Sequence, residues 1–267
     1  MFERLSSQGF QIAYRSHAKA ILEMDFPQVA AELEDILTEA TVPIEEIISG
    51  GGGEAHGTQR LRRALTARGW FKTTFVIEKT INGERRESQS HEVDHVRRFD
   101  NGCRIALEIE WNNKDPFYDR DLENFKRLHA DGAISAGIII TRGKSLHDDM
   151  RSLVCRFLEE RMITDLDGLK AWGYEPTRRQ RENINRRSHR LTNPLSFTEA
   201  FADQFVADKF GEATTHWGKL EDRLQRGVGN PCPLLLIGIP AAKVTFDQGD
   251  PAAPTGPRQN DDAGSEV

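Results

Sequence analysis

The chain has 267 residues, 37% of them hydrophobic and 29% charged, and a formal net charge of −6. That is enough chain to bury a sizeable core, and no apolar run approaches the roughly 20 residues that span a bilayer. Asp247 to Val267 holds five acids against the single base Arg258, so the body of the chain is close to neutral and the overall sign excludes little about acidic partners. Three cysteines, Cys103, Cys155 and Cys232, are widely separated and lack metal-ligand spacing. With no basic-then-apolar opening segment, a reduced cytoplasmic protein is expected.

In chain order, residues 10–48 read as helical, with Ala30, Leu33, Ile36 and Leu37 at helical spacing. Gly50 to Gly53 reads as a flexible break, and Thr58 to Arg68 as a second helix ended by Gly69. The pattern then turns to strands. Phe71 to Ile81 is rich in Thr, Val, Ile and Phe; Asn82-Gly83 is a two-residue hairpin turn; Glu84 to Arg98 forms the next strand. Asp100-Asn101-Gly102 makes another turn before a strand over Cys103 to Trp111.

Asp119 to Ala130 reads as a helix with Leu122, Phe125 and Leu128 inward. Gly137 to Thr141 is wholly apolar up to its last residue, as a strand buried on both faces is, and Leu146 to Met162 is helical. Residues 176–190 are polar and arginine-rich. Ser196 and Glu199 offer a capping box for a helix bearing Phe197, Phe201 and Phe205. Leu234 to Ile239 is another buried strand, and disorder is expected for the acidic, Pro-rich residues 247–267. The order implies an α/β domain with a mixed central sheet. It would be one unit over residues 1–246, with a helical part to about 68 and a core over about 69–240.

The chemistry concentrates in Val93-Asp94-His95 and Leu107-Glu108-Ile109-Glu110-Trp111. A turn centred on Asn101 sets Asp94 opposite Glu108, with Glu110 on the same face two residues on. Like charges so placed repel, and a hard divalent cation with oxygen ligands offsets that cost. Mg²⁺ uses one or two carboxylates with water and phosphate. The competing reading is the solvent face of an amphipathic strand. His91 and His95 flank Asp94 without the further ligands zinc needs, and His147 reads as a surface helix residue. Gly143-Lys144-Ser145 lacks the upstream glycine of a phosphate-binding loop, since Ile138 stands there.

Arg68-Gly69-Trp70, Val93-Asp94, Leu107 to Asn113, Ala136 to Gly143 and Gln225 to Pro240 together resemble the PD-(D/E)XK nucleases. More narrowly, they resemble the BglII/BstYI/BamHI-like group of type II restriction endonucleases, over roughly residues 55–240. Many PD-(D/E)XK enzymes have Lys where Glu110 stands; the BamHI-like members have Glu and the BglII-like ones Gln. The resemblance implies a restriction-endonuclease-like fold and a homodimer cutting a short palindrome in double-stranded DNA. A GATC-containing core, 5′-phosphate and 3′-hydroxyl ends, and a cognate DNA methyltransferase go with it. It also implies that Asp94, Glu108 and the Ile109 carbonyl ligate Mg²⁺ while Glu110 acts as general base.

Asn113, with Asn112, occupies the place of a base-reading residue, and Thr214-Thr215-His216 that of a recognition loop. Arg178, Arg179, Arg181, Arg186, Arg187 and Arg190, offset by Glu182 alone, suit phosphate contacts or else a solvated linker. A repair or modification-dependent nuclease, or a non-cleaving DNA-binding protein of the same fold, are the alternatives.

Overall fold

A computed structural model describes residues 1–49 and 55–246, without the side chains of 85–89. The Gly50–Gly53 break and the tail from Asp247 lie outside the described residues. The N-terminal part comprises α1 (Glu3–Ser7), β1 (Gln11–Arg15), α2 (Ala18–Met24), α3 (Pro27–Glu39), β2 (Val42–Pro43), α4 (Ile44–Ile48) and α5 (His56–Thr66). There follow β3 (Trp70–Ile81), β4 (Glu84–Arg98), β5 (Arg104–Glu110), α6 (Phe117–Ala130), β6 (Ala136–Arg142) and α7 (Lys144–Glu160). The chain closes with α8 (Arg178–Ser188), α9 (Phe197–Lys209), α10 (Trp217–Gln225), β7 (Leu234–Ile239) and β8 (Val244–Thr245).

Among the described residues, six strands form one mixed sheet in the order β1-β7-β6-β5-β4-β3, and β2 pairs with β8 separately. The β5/β6 and β6/β7 pairs are parallel, and the flanking pairs antiparallel. The two inner parallel strands β6 and β7 are buried along their whole length, as their unbroken apolar runs require. Asn82 and Gly83 carry φ of +52° and +83°, the positive pair that a tight hairpin turn between twisted strands needs.

One expectation fails. Residues 10–48 are not uniformly helical, because Gln11–Arg15 is an edge strand paired with β7. Gln11 to Tyr14 are half-buried and Arg15 is exposed, with no alternation, so period-two patterning is weak there, and long-range pairing decides its state. The arginine-rich stretch is likewise a helix rather than a linker, begun by a capping box between Thr177 and Gln180. Ile184 alone is buried along it.

Alternation along β5 splits the interior into two layers. Ile105 and Leu107 face a core with α7, α9 and Ile184 of α8. Ala106 faces a second core with Tyr118, Leu122 and Phe125 of α6 and Leu220 of α10. Gly137 lets α6 lie against β6: a Cβ there would sit 2.4 Å from the Phe125 ring. The three cysteines are free. Among the described residues no helix is long and apolar enough to cross a membrane.

Candidate active site

The β4–β5 hairpin has the register its turn sets. The ladder runs from Arg98↔Arg104 to His95↔Leu107. One step on, the Asp94 amide donates to Glu108 Oε1 at 3.3 Å. Period two puts Glu108 and Glu110 on the Ala106 face, beneath α6. Asp94 is exposed at the edge. Glu108 and Glu110 are only 5% and 3% exposed, so they do not form the solvent face of an amphipathic strand.

The sequence reading missed a fourth carboxylate. Asp121 of α6 is 2% exposed and points into the same place. Its signal was readable: Tyr118, Asp121, Leu122, Phe125 and Leu128 repeat at helical core spacing, and all are buried. An acid at a core position of a helix needs a partner. Arg120 supplies part of it, donating to Asp121 Oδ1 at 2.8 Å and standing 3.8 Å from Glu110 Oε1. The same guanidinium lies over the Phe117 ring.

One arginine does not neutralise four carboxyls. Burial holds Glu108 well above the usual carboxylate range, and the charges of Asp94 and Asp121 add to it. Burial and then Asp121 push Glu110 up to about 8, and burial raises Asp121 against the pull of Arg120. Asp121 Oδ2 is buried and finds no hydrogen-bond donor. A proton shared with Glu110 satisfies it when the site holds no cation, which accounts for the high affinity of Glu110 for that proton.

Hydrogen bonds fix the end of β5. Tyr118 Oη donates to Thr141 Oγ1 at 2.6 Å, and that hydroxyl donates to the Glu110 carbonyl at 2.7 Å. Asn113 Nδ2 donates to Glu110 Oε2 at 2.8 Å. Beyond it, the Asn113 amide donates to Thr215 Oγ1 at 3.1 Å, and the Thr215 amide donates to the Asn113 carbonyl at 2.8 Å. The 213–215 segment is therefore stitched to the chain leaving β5. Arg142, fully buried at the end of β6, ties both together. It donates to the Trp111 carbonyl, to Thr214 Oγ1 and to the Thr215 carbonyl at 2.7–2.8 Å. Burial lowers its pKa to about 10, so it is charged at neutral pH.

The remaining expected residues fall in different places. Asn113 is exposed and Asn112 half-buried, both beside the carboxylates. Thr214 is half-buried, whereas Thr215 and His216 are buried. Arg178, Arg179, Arg186 and Arg187 lie on α8, in the layer across the sheet from Glu108 and Glu110. Arg178 pairs with Glu182, and Arg187 with Asp203. His91 and His95 are buried. His147 is not a plain surface residue, for its ring stacks on that of His216 with centroids 3.8 Å apart.

Buried oxygen donors in excess of nearby positive charge suit a hard divalent cation. Asp94, Glu108 and Glu110 do not all close to within 4.8 Å of one another. Among the described residues that spacing is reached by His147, Glu212 and His216. A looser set suits Mg²⁺, which keeps water and phosphate oxygens among its ligands.

Comparison with known families accords with this geometry. A family model described as restriction endonuclease BglII/BglIII matches residues 10–239. No curated protein matches the chain.

Proposed function

The chain belongs to the BglII/BglIII family of restriction endonucleases, type II site-specific deoxyribonucleases, and from that premise we propose a Mg²⁺-dependent cut of both DNA strands at a short palindrome. The observation that supports this reading is the burial of Glu108, Glu110 and Asp121 together with Arg120 as the cation in contact. Such a cluster is unstable without a cation or proton, and a protein that only bound DNA has no reason to keep it.

Asp94 and Glu108 are the residues that would hold Mg²⁺, with the backbone carbonyl of Ile109. Bound there, the ion polarises the scissile phosphate and lowers the pKa of water. Glu110 orients the attacking water and takes its proton. Arg120 and Asn113 hold the Glu110 carboxylate, at 3.8 Å and 2.8 Å. The new P–O bond forms as the bond to the 3′ oxygen breaks, leaving a 5′-phosphate and a 3′-hydroxyl. Asp121 is a positioning residue that sets the proton affinity of Glu110.

Asn113, with Asn112 beside it, is placed to read a base edge once substrate draws its amide from Glu110. Thr214, Thr215 and His216 shape the neighbouring segment; the burial of Thr215 and His216 favours support of the reading surface over direct base contact. The arginines of α8, Arg178, Arg179, Arg186 and Arg187, form an outlying part of the proposed DNA-binding set. They reach phosphates only where DNA passes the sheet edge. A GATC-containing core, a homodimer, a cytoplasmic setting and a methyltransferase guarding the same site complete the proposal. So does a single nuclease unit over residues 1–246, to which β1 contributes a strand of the main sheet.

The test is incubation of purified protein with unmethylated phage DNA and Mg²⁺, beside Glu108→Ala. Discrete fragments from the wild type and none from the variant are expected, and end-sequencing then gives the site. Intact DNA across several substrates and methylation states would sink the proposal.

A further inference from the structure

We propose that His147, Glu212 and His216 form a transition-metal site, best suited to Zn²⁺, separate from the carboxylates of β4 and β5. His147 lies in the first turns of α7, and Glu212 and His216 bracket the segment that leads into α10. One ligand atom from each comes within 4.8 Å of the other two.

The spacing is close to what a metal requires. A tetrahedral centre with 2.0–2.1 Å bonds sets its donors about 3.4 Å apart. His147 Nε2 stands 3.3 Å from Glu212 Oε1, and His216 Nε2 stands 3.7 Å from Glu212 Oε2. The two imidazoles are stacked face to face, 5° from parallel with centroids 3.8 Å apart. Two protonated rings would repel in that arrangement, and a turn of the His147 ring, which lies nearer solvent than the buried His216 ring, brings its in-plane lone pair to the ion that His216 Nε2 faces.

A second observation points to a ligand. The His216 side chain is 7% exposed, and its Nε2 is buried without a hydrogen-bond partner. A buried ring nitrogen so placed normally finds a partner. Glu212, at 78% exposure, keeps the outer side of the site open for a water as fourth ligand. Two imidazoles and one carboxylate are a borderline-soft donor set that favours zinc over magnesium.

The site has a mechanical consequence. Glu212 and His216 flank Ala213, whose carbonyl accepts from the Asp115 amide, and Thr214 and Thr215, which are bonded to Arg142 and, for Thr215, to Asn113. An ion joining both flanks to α7 clamps that segment beside the end of β5. This consequence rests on the proposed reading surface; the metal site itself does not.

The test uses the full-length protein, stripped with chelator and titrated with Zn²⁺ and, in parallel, with Co²⁺. One tight Zn²⁺ site is expected in the wild type and in Glu108→Ala. Co²⁺ there gives the intense visible bands of a four-coordinate nitrogen-bearing site, and the imidazole ¹⁵N resonances of His147 and His216 shift. Glu212→Gln alters an exposed side chain and so keeps the fold. It weakens Zn²⁺ by more than about 100-fold, since even residues that only support ligands cost 10–100-fold. Hydrogen exchange over 212–216 slows with Zn²⁺ in the wild type and not in Glu212→Gln. Absence of a tight site overturns the proposal. So does a site that Glu108→Ala abolishes and Glu212→Gln leaves intact. Neither result bears on DNA cleavage, which the phage digest decides separately.

Discussion

Glu110 and Asp121 act as one titrating pair, and the sign of their effect on stability can be worked out. Burial and Asp121 raise Glu110 to about 8, against about 4.3 in an unfolded chain. The folded protein therefore binds that proton more tightly than the unfolded one. Its stabilising effect is complete below the unfolded value and is lost as pH rises through the folded one. Metal-free protein should melt at progressively lower temperature between about pH 4.5 and 8, and Ca²⁺ or Mg²⁺ should restore stability at the alkaline end. Asp121→Asn removes one charge and supplies a donor to Glu110. In chelator at pH 8.5 this variant should melt several degrees above the wild type, and the slope with pH should flatten. An unchanged slope would show that Glu110 does not hold the proton. Arg142 makes the opposite case, a buried cation held by three neutral acceptors and the face of Phe210. Lysine cannot reproduce its planar fork. Arg142→Lys should cost about 3 kcal/mol, readable as a lower denaturation midpoint, and should loosen Thr214 and Thr215.

At the scale of elements, the hairpin that carries Asp94 and Glu108 was legible because the turn at Asn101 and a period of two leave one register that buries Ile105 and Leu107. The inner strands β6 and β7 were legible for the same reason, since their unbroken apolar runs have nowhere else to go. Gln11–Arg15 was not, because an edge strand takes its state from the β7 partner more than 200 residues away. Asp121 shares the helical spacing of Tyr118, Leu122, Phe125 and Leu128, so an acid at a core position is the sign of it in the sequence, but which buried partner it meets depends on how α6 packs on β5. The stacking of His147 on His216 depends on two segments meeting in space, and no local pattern signals it. The approach of α6 to the sheet depends on Gly137, whose missing Cβ makes room for Phe125. Gly137→Ala should cost roughly 1–3 kcal/mol from overpacking, and melting should report it as a fall of several degrees. Because α6 carries Arg120 and Asp121, cleavage should fall with it. A variant that melts early yet cuts at the wild-type rate would separate helix position from catalysis.

For the whole molecule, the constraint is one of counting. Each chain holds one set of Asp94, Glu108 and Glu110, and under the proposed mechanism one such set would hydrolyse one phosphodiester at a time. A palindrome presents two equivalent phosphates related by a two-fold axis, so a two-fold dimer places one site on each strand. The β3–β4 hairpin and α10 contribute side chains to the same layer as α6, on the carboxylate face of the sheet. Mixed dimers decide between this arrangement and a monomer that visits the strands in turn. Wild-type chains combined with an excess of Glu108→Ala chains should act on a supercoiled plasmid bearing one site. If dimers cut both strands in one encounter, open-circular DNA should accumulate with the mixture and not with wild type alone, because the mutant half leaves its strand intact until the dimer rebinds the other way round. If monomers act alone, open-circular DNA should build up to the same share with wild type alone as with the mixture, which only works more slowly. Sedimentation of the free protein gives the independent check, with a species of twice the 30.2 kDa chain mass expected for the dimer.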